Sequence, residues 1–191
     1  ETDALCAAAK RLGVDLVFSM SELNGKLIHN TGLYIDSLKG IVGKYRKVHL
    51  AVGERWRGVT PGREFPVWNT GYGKAGMLIC YDVEFPEAVR SLALAGASLV
   101  IVPTANFFPY SFANDPIVRV RAFESHVHVI YANWSEHTNE DGVHFNGQSV
   151  AASPQGEHRL ALSPADSGLF HVVLEGVASG GAALANHDDD Y

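Results

Sequence analysis

One cysteine, Cys80, ends the apolar run Gly76-Met77-Leu78-Ile79 and is followed by Tyr81-Asp82-Val83-Glu84-Phe85-Pro86-Glu87. The apolar run reads as a buried strand and the segment opened by Pro86 as a helix, so the thiol stands where a strand turns into a helix. A thiol there feels the positive end of a helix macrodipole and unpaired backbone N–H groups. These lower its pKa and can later hold an oxyanion. Upstream, Lys47 in Tyr45-Arg46-Lys47-Val48-His49-Leu50 is a second member of the same site. A lysine ammonium stabilises both a thiolate and the alkoxide formed when that thiolate attacks a carbonyl.

Such a pair needs a packed scaffold. The 191 residues are 47% hydrophobic with 19 glycines, which fits one α/β globular domain able to bury a substantial core. The net charge of −6, with no basic cluster beyond Lys44-Tyr45-Arg46-Lys47, argues against nucleic acid and anionic membranes as partners. Small neutral or cationic partners remain. Cys6 and Cys80 allow at most one disulfide, and with Cys80 reserved for chemistry the setting reads as reducing and cytoplasmic. Apolar runs are strand-sized and interrupted by Gly, Ser or Pro, so no signal peptide or membrane span is expected. The chain opens Glu1-Thr2-Asp3-Ala4 rather than with Met, which reads as a fragment.

Residues 2–12 predict an amphipathic helix, with Ala4, Leu5, Ala8, Ala9 and Leu12 on one face, Thr2 or Asp3 as cap and Gly13 as terminator. A meander of antiparallel strands follows at 16–18, 33–35 and 41–45, with a turn over 22–26 containing Asn24-Gly25. Residues 47–66 predict a long ordered loop. Strand 75–79, helix 86–95 and strand 99–103 form a β-α-β unit. A further helix spans 115–125, with Asp115 as N-cap and Pro116 in the first position, and strands are expected at 127–131, 147–152, 159–162 and 169–174. A domain over residues 1–175 then gives way to a Gly/Ala-rich, acidic, flexible tail over 176–191.

The motifs in order resemble the nitrilase, or carbon–nitrogen hydrolase, superfamily over nearly the whole chain. They are Tyr45-Arg46-Lys47-Val48-His49-Leu50; Glu54 before Pro61-Gly62; Gly76 through Asp82 with Phe85-Pro86-Glu87 and Arg90; Val102-Pro103-Thr104-Ala105-Asn106; Arg121-Ala122-Phe123-Glu124; Ala132-Asn133; and Gly147-Gln148-Ser149 before Ser153-Pro154-Gln155-Gly156. The resemblance implies an α/β fold, the α-β-β-α four-layer sandwich, here N-terminally truncated. It implies a Glu-Lys-Cys triad, of which Cys80 matches the nucleophile and Lys47 the cation, with the Tyr81 N–H helping to hold the oxyanion. Glu54 resembles a second glutamate that orients lysine and substrate. The general-base glutamate lies, in the family, on a strand before the helix that opens this chain. Glu1 and Glu22, the latter read in a turn, do not match it.

The implied reaction is hydrolysis of a small aliphatic amide to acid and ammonia through a cysteine thioester, with no cofactor and with a homodimer or higher homo-oligomer as the assembly. The block 80–87 with Pro103–Asn106 and Pro109-Tyr110 resembles 5-aminopentanamidase-type enzymes, and Glu84, where family members acting on diacid monoamides often carry arginine, suits a substrate bearing an amine. An N-carbamoyl amine or amino-acid hydrolase, or a non-catalytic member lacking the base, are the alternatives. Asn106, Phe107 and Trp134 are candidate substrate contacts at strand ends, where ligands collect in α/β sheets. Phe108, Pro109 and Tyr110 read equally as pocket wall or core. Glu54 also reads as a loop carboxylate paired with Arg55 or Arg57, and Cys6 as helix packing. His126 and His128 share a strand face without a third ligand, so no metal is expected.

Overall fold

Gly25, at φ +62°, turns strand β1 (Leu16–Asn24) back onto β2 (Leu27–Asp36), and Gly40, at φ +81°, opens β3 (Gly40–Arg46). These strands form a three-stranded antiparallel sheet in chain order in the computed structural model of the protein, which describes residues 2–176. The β1–β2 ladder runs unbroken from Leu16 opposite Ile35 to Asn24 opposite Leu27. The turn is therefore shorter than expected: a two-residue loop needs only Gly25-Lys26, and Glu22 lies in the strand opposite His29. Its carboxylate is held there by Thr31 Oγ1 at 2.6 Å, by Arg46 Nε at 3.0 Å and Nη2 at 2.8 Å, and by Lys44 Nζ.

The second sheet is built from β4 (Val67–Thr70), β5 (Gly73–Met77), β6 (Leu99–Pro103) and β7 (His128–Ala132), while β8 (His137–Thr138) and β9 (His144–Phe145) form a separate two-stranded ribbon. With β10 (Val150–Ala152) and β11 (His158–Ala161), its order is β11-β10-β7-β6-β5-β4. Strands β5, β6 and β7 are parallel, joined by helices α3 (Pro86–Leu94) and α4 (Ile117–Ser125). Crossovers of this kind cover a sheet face, and Leu92 of α3 closes over Gly76 of β5. Helix α1 (Thr2–Leu12) lies on β2 and β3, so the layers run α-β-β-α.

The core between and outside the sheets includes Met77, Leu78, Val89, Leu92, Val100, Val102, Val118 and Val129, all buried. Each large aliphatic contributes about 1.5–3 kcal/mol on burial. Two glycines set how closely the sheets meet: a Cβ at Gly32 of β2 would overlap Met77 Sδ, and one at Gly43 of β3 would stand 2.7 Å from the Trp68 ring.

Several boundaries differ from expectation for identifiable reasons. Helix α1 ends as foreseen, with Gly13 at φ +65° and Val14 N–H donating to Ala9 O at 3.1 Å, but only Ala9 is buried and Leu12 is 65% exposed. The 47–66 loop contains a short helix, α2 (Val52–Trp56). Asp115 is not the N-cap of α4: Pro116 occupies that position, and the Asp115 carboxylate instead meets His158 Nε2 at 2.9 Å. Strand β10 begins only at Val150 because Gly147 and Gln148 take left-handed φ values of +62° and +59°, which break an extended run. Residues 169–174 form no strand. Residues 177–191, nearly all of the expected tail, lie outside the described residues. Cys6 and Cys80 are both free.

Candidate active site

After β5 the chain leaves the ladder at Leu78, whose N–H still reaches Ile101 O at 3.1 Å. Ile79 is extended, and Cys80 then adopts φ +49° as the first residue of a five-residue 3-10 turn, Cys80–Glu84. A left-handed non-glycine residue costs on the order of 1–3 kcal/mol and persists only where its surroundings enforce it. Here the surroundings centre on Asp82, whose fully buried carboxylate accepts four hydrogen bonds. Ile79 N–H at 3.0 Å and Tyr45 O–H at 2.7 Å meet Oδ2, and His49 N–H at 2.8 Å and Nδ1 at 3.0 Å meet Oδ1. The His49 ring stacks flat on Phe85, with centroids 3.8 Å apart. Burial, then the neighbouring Asp82 charge, pushes the Tyr45 hydroxyl pKa far up, so it stays a donor.

Lys47 follows β3 directly and is 3% exposed. Its N–H donates to Asn30 O at 2.9 Å and its carbonyl accepts Gly62 N–H at 2.7 Å, so the backbone is fixed on both sides. Its Nζ lies 2.6 Å from Glu54 Oε2. Glu54, on α2, also accepts Asn30 Nδ2 on Oε1 at 2.8 Å and Ala51 N–H on Oε2 at 2.8 Å. Burial resists ionisation of Glu54, but Lys47, Asn30 and Ala51 together outweigh it and hold the carboxyl below its ordinary value. The carboxylate therefore pairs with Lys47 rather than with Arg55 or Arg57.

Around the sulfur, backbone N–H groups of Ala105 and Tyr81 and the charge of Lys47 favour the thiolate, while Glu54 opposes it. Burial is larger than any of these and pushes the Cys80 thiol above its ordinary value. This corrects the expectation of a depressed thiol: the element that follows Cys80 is a single 3-10 turn, and the helix proper begins only at Pro86. The half-buried Glu84 carboxyl is likewise raised by burial, against the opposing charges of Arg121 and Lys47. Arg121 fixes the turn by donating to Val83 O at 3.0 Å and Glu84 O at 2.7 Å.

The remaining candidates lie at the C-terminal ends of neighbouring strands. Asn106 is buried, and its Nδ2 donates to Tyr110 O and Asn114 Oδ1, both at 2.8 Å, so its amide ties the loop after β6 together. Phe107 and Trp134 are exposed and meet around Phe145: Phe107 pairs with it by a backbone bridge and Trp134 stands 4.9 Å from its ring. Tyr81 sets its ring edge-on to Phe85 at 5.0 Å. The sequence reading gave no role to Asp82, His49, Asn30, Ala105 or Tyr131, although most stand inside the same motifs as Cys80 and Lys47. Tyr131, buried in β7, senses the Cys80 charge and is pushed up mainly by its own burial. Among the described residues no group of three or more His, Cys, Asp or Glu side chains could hold a metal, and no helix is long and apolar enough to cross a membrane. A cavity of about 570 Å³ beneath residues 60–66, lined by His29, Arg46 and Arg63, does not include Cys80.

A family model for carbon-nitrogen hydrolases matches residues 1–172. A hydrolase encoded in the pqqF 5' region of Pseudomonas protegens is 39% identical over 174 residues, 90% of this chain and 60% of that protein. An (R)-stereoselective amidase of a Pseudomonas species is 32% identical over 169 residues, 88% of this chain and 60% of that one. A variant amidase from Nesterenkonia sp. AN1, solved with the result of Michael addition of acrylamide at its active site cysteine, gives a TM-score of 0.79 at 32% identity, covering 86% of this chain and 65% of that one. The chain thus spans about 60% of the length of the curated relatives it matches. By the extent of these matches, the chain belongs to the carbon–nitrogen hydrolase (nitrilase) superfamily, on its amidase branch.

Proposed function

We propose that the protein hydrolyses a small aliphatic amide through a thioester on Cys80. The observation that carries this reading is the convergence of Cys80, Lys47 and Glu54, brought together from both sheets, with the Ala105 and Tyr81 N–H groups on the sulfur. Cys80 Sγ attacks the amide carbonyl carbon, forming the C–S bond, and Lys47 with the Tyr81 N–H stabilises the negative oxygen. The C–N bond breaks as the nitrogen gains the proton that the thiol gave up, and it leaves as ammonia. Water then cleaves the thioester to the carboxylic acid and restores the thiol. Glu54 orients the ammonium of Lys47. A thiol raised by burial needs a general base to take its proton, and we assign that role to no residue of this chain.

Glu84 supports a substrate that carries an amine, such as a 5-aminopentanamide, because its half-buried carboxyl forms no hydrogen bond or ion pair among the described residues and stands within the electrostatic reach of Arg121 and, more weakly, Lys47. Leu94, Val120 and Phe123 are exposed along α3 and α4 and support a homodimer packed through these helices. Two unpaired cysteines support a cytoplasmic setting. The deciding experiment is ammonia release from 5-aminopentanamide and from the monoamide of a five-carbon diacid, with Cys80→Ala alongside. Faster release from the amine, abolished in Cys80→Ala, is expected. Release that survives Cys80→Ala would overturn the mechanism, and preference for the diacid monoamide would overturn the role of Glu84.

A further inference from the structure

We infer that Asp82 is a positioning residue that holds the Lys47 segment in register with the Cys80 turn, acting through Tyr45 and His49. The inference rests on the reading of Cys80 and Lys47 as nucleophile and cation. Its basis is the distribution of the four donors on one fully buried carboxylate. Three of them, Tyr45 O–H, His49 N–H and His49 Nδ1–H, flank Lys47 two residues to either side. The fourth, Ile79 N–H, belongs to the residue before Cys80. The Tyr45 hydroxyl oxygen also accepts Val48 N–H at 3.2 Å, adding a tie within the same segment.

The segment that carries Lys47 extends from the three-stranded sheet and the turn that carries Cys80 extends from the six-stranded one. Asp82 bonds to both, and the Tyr45 hydroxyl joins it by accepting from Val48 and donating to Asp82. The clamp at Lys47 Nζ by Glu54, and at its backbone by Asn30 and Gly62, fixes the lysine within its own neighbourhood but does not tie it to the cysteine. Asp82 supplies that tie, and the flat stack of His49 on Phe85 fixes the same contact from the far side of the turn.

Electrostatics separate this role from a simple charge effect. Removing a negative charge near a thiol without any movement lowers the thiol pKa. Displacing Lys47 raises it. The experiment is the pH dependence of Cys80 alkylation by iodoacetamide, followed by peptide mass, in the full chain and in Asp82→Asn, Tyr45→Phe and Lys47→Ala, with thermal melts of each. Asp82→Asn is expected to move the midpoint upward in the same direction as Lys47→Ala, with about a tenfold loss of alkylation rate at fixed pH for each unit moved. A midpoint that stays or falls, even with a lowered melting temperature, would mean that Asp82 is merely structural and would overturn the inference. Where Asp82→Asn does not fold, Tyr45→Phe decides, an upward shift supporting the inference and an unmoved midpoint overturning it. If Lys47→Ala itself leaves the midpoint unmoved, the assignment of Lys47 under the proposed function falls and takes the inference with it. A thiol that responds to Lys47→Ala but not to the deciding variant overturns the inference alone.

Discussion

Lys47 and Glu54, seven residues apart in sequence, form an ion pair with Nζ 2.6 Å from Oε2, the lysine end buried and the glutamate end partly exposed. The loop between β3 and α2 closes on itself to make it, and Asn30 from β2 and the Ala51 N–H complete the carboxylate's shell. Because the Lys47 end is buried, removing Glu54 leaves the lysine charge uncompensated.

Glu54→Gln is therefore expected to impair amide hydrolysis more than a surface change would, since the lysine ammonium loses its anchor while retaining its charge. We expect kcat to fall on the order of 10–100-fold, since misplacing a catalytic group by about 1 Å can cost about 100-fold. Lys47→Ala should cost on the order of 100–1,000-fold, the loss typical of removing an oxyanion stabiliser. Steady-state kinetics on one amide checks both, and equal rates for the two variants would contradict the division of roles.

The alkylation profile of Cys80 follows from burial. Because the thiol is raised above its ordinary value of 9.0, the thiolate fraction at neutral pH is small. Alkylation by iodoacetamide should be slow near pH 7 and climb as pH rises, with its midpoint above 9. A midpoint near neutrality would show that the Lys47 field and the two N–H groups outweigh burial.

Acid sensitivity should be traceable to Glu22 of β1. Arg46 first, with Lys44 and Thr31, holds its carboxyl well below the ordinary 4.5 against some burial. A depressed folded-state value stabilises the fold above the unfolded-state value and is lost as pH falls through the acid range. Glu22→Gln should lower stability by about 1–2 kcal/mol at pH 7 and flatten the fall in melting temperature between pH 5 and 3. Parallel melting curves for the two proteins across that range would contradict this.

At Gly43 a methyl group is expected to be costly although the position is in a strand. A Cβ there would stand 2.7 Å from the Trp68 ring, so Gly43→Ala must push the sheets apart or turn the indole. Overpacking of this kind costs about 1–3 kcal/mol, measurable by denaturant unfolding.

Much of the layered fold is legible from local patterning. The three-stranded meander, the β-α-β unit around α3 and the helix after Pro116 all announce themselves through periodicity and turn residues. What escapes is set by distant contacts or by backbone torsions without a sequence signature. Helix α2 has five residues and no apolar periodicity, and β10 is cut short by Gln148, a residue type that rarely takes φ +59°. Cys80, Lys47 and Glu54 could be proposed together because each sits in a contiguous motif. The state of the thiol was not legible, because burial by residues far along the chain overrides the local effect of a turn. Nor was Asp82: a carboxylate's role as a hub depends on donors 37, 33 and 3 residues away.

The two halves of the site hang from different sheets, with glycines at Gly32 and Gly43 as the spacers between them. The gap between Cys80 and Lys47 is thus the gap between two slabs of the hydrophobic core. On the proposed mechanism, core substitutions remote from any substrate, or hydrostatic pressure that compresses the interlayer space, become levers on reaction rate. In this architecture the tolerance of the core to mutation and the tolerance of the chemistry are one property, measured at two ends.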